Sequence, residues 1–388
     1  MNLEVYRPYP EIADSIAKIC ERYDMAYWME CDEQQRMARD FFDDIRKAGW
    51  LAIAVPEAFG GAGLGIAAAA TMVHTIASHG GGWTANGTVM GCIFSPNSLV
   101  VHGSAAQKKR ILPSLVTGDS RRCFAITEPD AGLDTTRIRT RAVRDGDRYI
   151  VNGEKVWISG ADIADYMMIL VRTRPIEETP RPADGLSLFC TKIDRSHVTI
   201  QKIKKHGYSS MASCHLFIND LPVSADDMVG EEGKGFRCLF DNINPERVIV
   251  AACAVGVGQY AIKRAAEYAK ERIVFGRPIG MNQAVQHPLA RCWMELQAAE
   301  MMLYKAAHLY DAGLPCGAEA NAAKFMAAEA GEKACRQAMQ TLGGFGYARE
   351  FHIERLLREV TLSILAPVGQ NLILSFLSEK VLGLPKSY

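Results

Sequence analysis

The sequence predicts a multidomain α+β protein in which a helical N-terminal region precedes a middle region of antiparallel strands, followed by a second helical region. Three observations predict this order. The chain has 388 residues, which is too long for one ordinary domain. Apolar residues recur every three or four positions at both ends of the chain, whereas short β-rich segments fill the middle. Because strands and helices are segregated, a doubly wound α/β sheet is not expected.

The N-terminal helical domain is predicted over residues 1–120. Its apolar spacing is helical in IADSIAKICERY and RDFFDDIRKAGWLAIAV, and again in AAAATMVHTIA and QKKRILPSLV. The middle domain is predicted over 121–230, where RYIVNGEKVWISG, DYMMILVRT, LSLFCTKI and CHLFINDLPV are separated by polar turns. That spacing is typical of a small antiparallel sheet or barrel.

The C-terminal helical domain is predicted over 231–388, with breaks at GRPIGMNQ, AGLPCG and LGGFGYARE. Gly256 and Gly258 form a GxG sequence in this region. They lie within an apolar helical segment with no preceding strand, so a dinucleotide-binding turn is not expected there. An apolar helix of this kind is typical of one buried between other helices.

The composition limits the partners of the chain. Forty-four basic and 44 acidic residues give a formal net charge of zero, which does not favour nucleic-acid binding. The 11 cysteines show no metal-ligand spacing, so no metal site is expected and the thiols are interpreted as reduced packing residues. The N-terminus has no secretory or transit pattern, and no apolar run approaches 18 residues. These features predict a cytoplasmic protein without membrane association.

Five segments resemble the acyl-CoA dehydrogenase family in its order: CFAITEPDAGLDTTRIRTRA with EKVWISG, then GEEGKGF, NPERVIVAA, ERIVFGRPIGMNQAVQ and QTLGGFGYARE. Together they cover roughly residues 122–350. The resemblance implies the fold of that family, with an N-terminal helical domain, a middle β-domain and a C-terminal four-helix bundle. It also implies FAD bound between the last two domains.

The resemblance assigns the flavin ring to the middle domain, where the cofactor-binding residues are Phe124, Ile126, Thr127, Trp157 and Ser159. Ile126 and Thr127 would meet the pyrimidine edge, and Trp157 would pack along the ring. Ser159 stands where the family has a hydroxyl near flavin N5, the hydride acceptor, although an ordinary strand serine is the alternative interpretation.

A second set of residues resembles those that reach the FAD of a neighbouring subunit: Arg272, Phe275, Gln283, Gln340, Gly343 and Gly344. Arginine suits a pyrophosphate because its planar fork donates two hydrogen bonds at once. The glycines would let backbone N–H groups approach phosphates closely, and they also suit a helix-ending turn. A cradle shared between subunits implies a homotetramer.

The catalytic base is predicted to be Glu246. Many family members carry a glutamate in a segment that here reads SILAPVGQN, with Ala366 and Pro367 in its place. A branch that includes isovaleryl-CoA and long-chain enzymes places the base before an arginine, as in Glu246-Arg247. The alternative is a helix start, with Asn244 as N-cap and Glu246 in the first turn.

The resemblance places the substrate near Leu133, Asn244, Arg247 and Ala366, and it assigns the backbone N–H of Ala366 to the thioester oxygen. The predicted reaction is FAD-dependent α,β-dehydrogenation of an acyl-CoA to trans-2-enoyl-CoA, with hydride transfer to flavin N5. Electron-transferring flavoprotein is the expected acceptor. An enoyl-CoA reductase is the alternative on the same fold, followed by a flavin oxidase or monooxygenase and a non-catalytic flavoprotein.

Overall fold

The computed structural model describes residues 8–387, so the predicted domain limits at residues 1 and 388, and the start of the N-terminus examined for a targeting signal, lie outside the described residues. Helices form the first region, a sheet forms the second, and helices return in the third. The helices of the first region are α1 (Pro10–Cys20), α2 (Met25–Glu33), α3 (Arg39–Lys47), α4 (Gly65–Ser78), α5 (Gly82–Phe94), α6 (Asn97–His102) and α7 (Ala105–Val116).

The first region packs around α4, which is buried on nearly every side. Its alanine run from 67 to 70 is wholly buried and lets neighbouring helices approach closely. The start of α7 is fixed by a capping box, in which Ser104 Oγ accepts from the Gln107 amide and the Gln107 side chain accepts from the Ser104 amide.

The middle region is an eight-stranded sheet. Its strands are β1 (Arg122–Ala125), β2 (Arg141–Asp145), β3 (Arg148–Ser159), β4 (Tyr166–Arg172), β5 (Leu186–Lys192), β6 (Val198–Ile203), β7 (Ser213–Ser224) and β8 (Met228–Val229). The order is β6-β7-β3-β2-β4-β5-β8, and β1 pairs with β4. The prediction of an antiparallel sheet is correct for most pairs. However, β1 and β2 both pair with β4 in parallel, because the chain crosses over between them.

The third region contains three long helices and a short hairpin. Its elements are α8 (Gly235–Glu271), β9 (Ile273–Val274), β10 (Arg277–Pro278), α9 (Gln283–Asp311), α10 (Gly317–Leu342), α11 (Gly344–Tyr347), α12 (Ile353–Val360), α13 (Leu362–Leu365) and α14 (Gln370–Lys380). Helices α8, α9 and α10 pack on one another, α12 packs on α10, and α4 packs on α8. This is the helical bundle that the resemblance implied.

The two glycines of the GxG sequence lie at helix contacts in α8, as expected. A Cβ at Gly256 would stand 2.6 Å from the His74 carbonyl oxygen of α4. A Cβ at Gly258 would stand 2.7 Å from Leu296 of α9. These glycines therefore permit close helix packing rather than phosphate binding.

Two helical stretches of the described chain are long and apolar enough to span a membrane by length and composition alone, a test that a buried core helix also passes. They are Gly235–Glu271, whose apolar window is 72% buried, and Ile353–Lys380, whose window is 17% buried. The first is the core helix α8. The second comprises α12, α13 and α14, with a break at Pro367.

Candidate active site

A cavity of about 1470 Å³ lies where the three regions meet. Its wall is formed by α5, by β1 and the end of β3, by the first turns of α8, and by the chain that follows α12. This volume exceeds that of a pocket for one small ligand, which is typically about 300–1,000 Å³. The cavity therefore has room for a large cofactor together with part of a substrate.

Glu246 lines this cavity from the interior of α8. The alternative of a helix start at Asn244 is wrong, since α8 begins nine residues earlier, at Gly235. Pro245 has no amide to offer the carbonyl of Asp241, its partner four residues back. That carbonyl instead accepts from Asn97 Nδ2 at 2.6 Å. The helix thus continues through the proline and carries Glu246 on its cavity face.

The electrostatics of Glu246 are those of a poised base. Among residues 8–387 its carboxylate has no hydrogen bond or ion pair. Burial raises its pKa from 4.5 to about 7, and the charge of Arg247 opposes this rise only in part. Arg247 also lines the cavity; it donates from Nη1 to Asn244 Oδ1 at 2.8 Å, and its Nε is buried without a partner among the described residues. Asn244 does not line the cavity.

The predicted flavin residues of the middle region are brought together on one wall. Phe124, Ile126, Thr127, Trp157 and Ser159 all line the cavity. Trp157 is 57% exposed to it and has a positive φ of 63°, which is strained for an aromatic residue. The strain coincides with a register shift between β3 and β7 after Lys155. The bulge turns the indole out of the sheet and into the cavity.

A buried ion pair behind this wall was not predicted from the sequence. Lys155 Nζ donates to Glu128 Oε1 and to the Ile126 carbonyl oxygen, both at 2.9 Å. Glu128 also accepts from the backbone amides of Arg139 and Thr140. The pair therefore holds the turn after β1 against β3. The signal was present, because Glu128 and Lys155 lie within the two segments that carry the family resemblance.

The segment after α12 closes another side of the cavity, where Ala366 lies on the wall and Leu133 stands near Gly369. The role expected for the Ala366 amide is not met. This N–H already donates to the Leu362 carbonyl at 3.0 Å, because α13 ends there. Lys324 of α10 donates from Nζ to the carbonyls of Ile364 and Val368, which ties the segment to the bundle.

The residues expected to reach a neighbouring subunit lie outside the cavity. They are Arg272, Phe275, Gln283, Gln340, Gly343 and Gly344. Phe275 is fully exposed at the turn between β9 and β10, with a positive φ of 52°. Arg272 stands with its Cζ 5.9 Å from the Phe345 ring, next to the end of α10. These residues thus form a separate exposed cluster.

Three further residues on the cavity wall were missed. Tyr208, with a positive φ of 58°, packs its ring 5.5 Å from that of Trp83. Arg121 and Arg122 precede and begin β1 and also face the cavity. Two adjacent arginines at the start of a buried strand were the available signal in the sequence.

Comparison with known proteins identifies the relatives of this arrangement. Family models match in chain order: acyl-CoA dehydrogenase N-terminal domain at residues 9–119, middle domain at 123–221 and C-terminal domain at 233–366. Acyl-CoA dehydrogenase FadE12 of Mycobacterium tuberculosis is 35% identical over 381 residues, covering 96% of each chain. A 3-(aryl)acrylate reductase of Clostridium sporogenes is 32% identical over 337 residues, covering 85% of this chain and 87% of its own.

Among solved structures, butyryl-CoA dehydrogenase from Megasphaera elsdenii superimposes with a TM-score of 0.91 at 26% sequence identity. The match covers 98% of this chain and 100% of its own. The three domain matches follow one another along nearly the whole sequence, and the expected fold is confirmed. The chain is an oxidoreductase that belongs to the acyl-CoA dehydrogenase family.

Proposed function

We propose that the protein removes the Cα proton and the Cβ hydride of an acyl-CoA thioester, giving the trans-2-enoyl-CoA, with Glu246 as the base. One observation carries this proposal. The Glu246 carboxylate faces the cavity with no hydrogen-bond or ion-pair partner in the described part of the chain, and burial raises its pKa to about 7. A general base is most effective when its pKa is near the working pH.

The cofactor of the family is FAD, and the residues on the cavity wall suit it. An exposed indole at Trp157 offers a flat apolar surface to a flavin ring. Thr127 and Ser159 offer hydroxyl groups on the same wall, beside Phe124 and Ile126. FAD supplies the hydride acceptor when bound. The strained backbone of Trp157 fixes the indole and so orients the ring against the substrate.

Glu246 abstracts the proton that becomes acidic beside the thioester carbonyl. Its own burial supplies the basicity, because the surroundings penalise the charged carboxylate until it takes up a proton. Arg247 lowers this penalty slightly and, with its buried Nε unpartnered, supports the site or contacts the thioester. The thioester oxygen needs donors other than the Ala366 amide, which is already engaged.

The exposed cluster around Arg272 and Phe275 is proposed to complete the FAD site of a neighbouring subunit in a homotetramer. Full exposure of an aromatic ring on a strained turn supports a contact there, since such a ring is rarely left in water. Electron-transferring flavoprotein is proposed as the electron acceptor, in the cytoplasm. Membership of the family supports both of these proposed partners.

The reverse reaction is the second candidate. The relative from Clostridium sporogenes is a reductase and covers most of both chains, so the same site chemistry is compatible with reduction of an enoyl thioester. In that direction Glu246 would donate the proton that it removes in dehydrogenation, because each elementary step is reversible.

The test is an anaerobic titration of the purified flavoprotein with straight, branched and cyclic acyl-CoA thioesters, following flavin absorbance. Bleaching by one class is expected and identifies the dehydrogenated substrate. The chemically reduced protein is titrated in parallel with the matching enoyl-CoA thioesters. Return of colour in the second titration without bleaching in the first would replace dehydrogenation by reduction. No response in either titration would contradict both candidates.

A further inference from the structure

Arg121 and Arg122 bring two positive charges to the wall of the cavity. Both line it at the start of β1, as do Gly91 and Cys92 of α5 and Ser95, which follows α5. Arg122 Cζ lies 5.6 Å from the Phe124 ring, and Arg121 Cζ lies 4.1 Å from the Phe42 ring. The two guanidinium groups are therefore packed against aromatic rings rather than extended into solvent.

Among the residues that the structure describes, neither guanidinium has a counterion. Nη2 of Arg121 and both Nε and Nη2 of Arg122 are buried without a hydrogen-bond partner. Within residues 8–387, no carboxylate lies within ion-pair distance of either group. Arg358, on the same cavity wall, differs because it pairs with Asp32 at 2.7 Å and with Glu354 at 2.6 Å. Leaving buried charged donors unpaired is costly unless a ligand satisfies them.

The neighbouring thiols do not supply the missing negative charge. Cys92 lies close to both arginines, and Arg122 Nη1 points at Cys190 Sγ from 3.9 Å. Burial raises the pKa of both thiols above the ordinary value despite the nearby arginines. They therefore remain neutral, and no group of residues 8–387 supplies an anion to the two guanidinium groups.

Arg122 lies at one end of a row of cavity-lining residues that begins with β1 and continues to Ile126. Side chains alternate along a strand, so Arg122 and Phe124 share one face of β1; both line the cavity, as does Ile126 just after the strand. The four steps of extended chain from Arg122 to Ile126 span about 13 Å. In the proposed function Ile126 borders the flavin, and we assign Arg122, at the other end of this row, to the acyl chain of the substrate.

We propose that the acyl group carries a carboxylate at its distal end, bound by Arg122 with the help of Arg121. The substrate is then the mono-CoA thioester of a dicarboxylic acid. The inference rests on the proposed function and adds the class of substrate to it. A guanidinium binds a carboxylate through two parallel hydrogen bonds, which would engage the donors that have no partner among residues 8–387.

The experiment compares ω-carboxyacyl-CoA thioesters of increasing chain length, each with the neutral thioester of equal length. The wild-type protein is expected to have the larger kcat/KM for one carboxylated member. In Arg122→Met, the ratio of kcat/KM for the carboxylated and neutral thioesters is expected to fall by about 100-fold. Arg122→Lys keeps a charge without the fork and should fall between the two. Arg110→Met, on the surface beside Asp227, is the matched control and should leave the ratio unchanged.

Three outcomes would contradict the inference. A wild-type preference for neutral thioesters, with the same kcat/KM ratio in Arg122→Met, would show that the arginines do not bind the distal end of the acyl group. A fall of both activities together with loss of flavin would assign Arg122 to the cofactor. The same kcat/KM ratio of carboxylated to neutral thioester in wild type, Arg122→Lys and Arg122→Met would lead to the same conclusion as the first outcome. Failure of the proposed function is distinct, since then no thioester of either kind reduces the flavin.

Discussion

The two groups of predicted flavin residues differ in how complete they are within one chain. Around Glu246, three regions of the chain enclose a cavity and each contributes side chains to its wall. Around Arg272 the residues are exposed, and Phe275 stands fully in solvent. Methionines 294 and 301 of α9 are also more than half exposed, at 58% and 66%.

This difference indicates that the two groups of residues have different roles. A single chain supplies the base and the wall that faces the reacting atoms, so the chemistry depends on its own fold. The exposed cluster has side chains suited to a ligand or partner but lacks an opposite wall. Variants in the first group should therefore change catalysis within each subunit, whereas variants in the second should change assembly and cofactor retention.

The largest effect is expected from Glu246→Gln. A glutamine cannot accept the Cα proton, so kcat should fall by roughly 10²–10⁴-fold, while the protein retains FAD and binds the thioester. Rapid mixing of enzyme and substrate under anaerobic conditions measures the rate of flavin reduction. Glu329→Gln, an exposed residue of α10, is the matched control. A rate within a few fold of wild type would remove Glu246 from the mechanism.

The same carboxylate gives a pH signature with a definite sign. Because the pKa of Glu246 is raised to about 7, kcat/KM should rise with pH through that value as the base ionises. The folded state holds this proton more tightly than the unfolded state, so its contribution to stability falls as pH rises between the usual value and about 7. The thermal midpoint of wild type should fall relative to that of Glu246→Gln over this range. Parallel pH profiles would contradict the assignment.

An intermediate effect is expected from Lys155→Met, which breaks the buried pair behind the flavin wall. The uncompensated Glu128 carboxylate should lower the free energy of unfolding by about 3–5 kcal/mol, measured by denaturation. Loss of the donor to the Ile126 carbonyl should also reduce flavin content. Lys202→Met, which removes a surface pair with Asp162, should cost no more than about 1 kcal/mol. Equal losses in both variants would deny the buried pair a special role.

The smallest effect is expected from Arg272→Ala, since the cavity stays intact. Flavin content after dilution and gel filtration should fall, while the rate of flavin reduction in protein that keeps its FAD should stay near wild type. Arg148→Ala, an exposed arginine of β3 paired with Asp145, serves as the control. Unchanged flavin content in Arg272→Ala would mean that the exposed cluster does not serve the cofactor.

The sequence predicted what depends on local pattern. The separate helical and strand periodicities predicted the order of helices and strands. The motif matches selected Glu246 and Trp157, which line one cavity in the structure. The interpretation of Asn244 as an N-cap failed because a helix can continue through proline when another group satisfies the freed carbonyl. The Ala366 amide and the two parallel strand pairs depend on how distant segments meet. Sequence spacing alone does not determine such contacts.

The freed carbonyl of Asp241 gives the base a dependence on distant parts of the chain. It accepts from Asn97, which belongs to the N-terminal region, and from the hydroxyl of Tyr310 at 3.4 Å, near the end of α9. The turn of α8 that bears Glu246 is thus held from outside its own helix. An isolated C-terminal bundle would lack the amide of Asn97, and its proton acceptor would lose a fixed location. The contact between the N-terminal region and α8 therefore helps to position the base, and substitutions at this contact are expected to alter turnover.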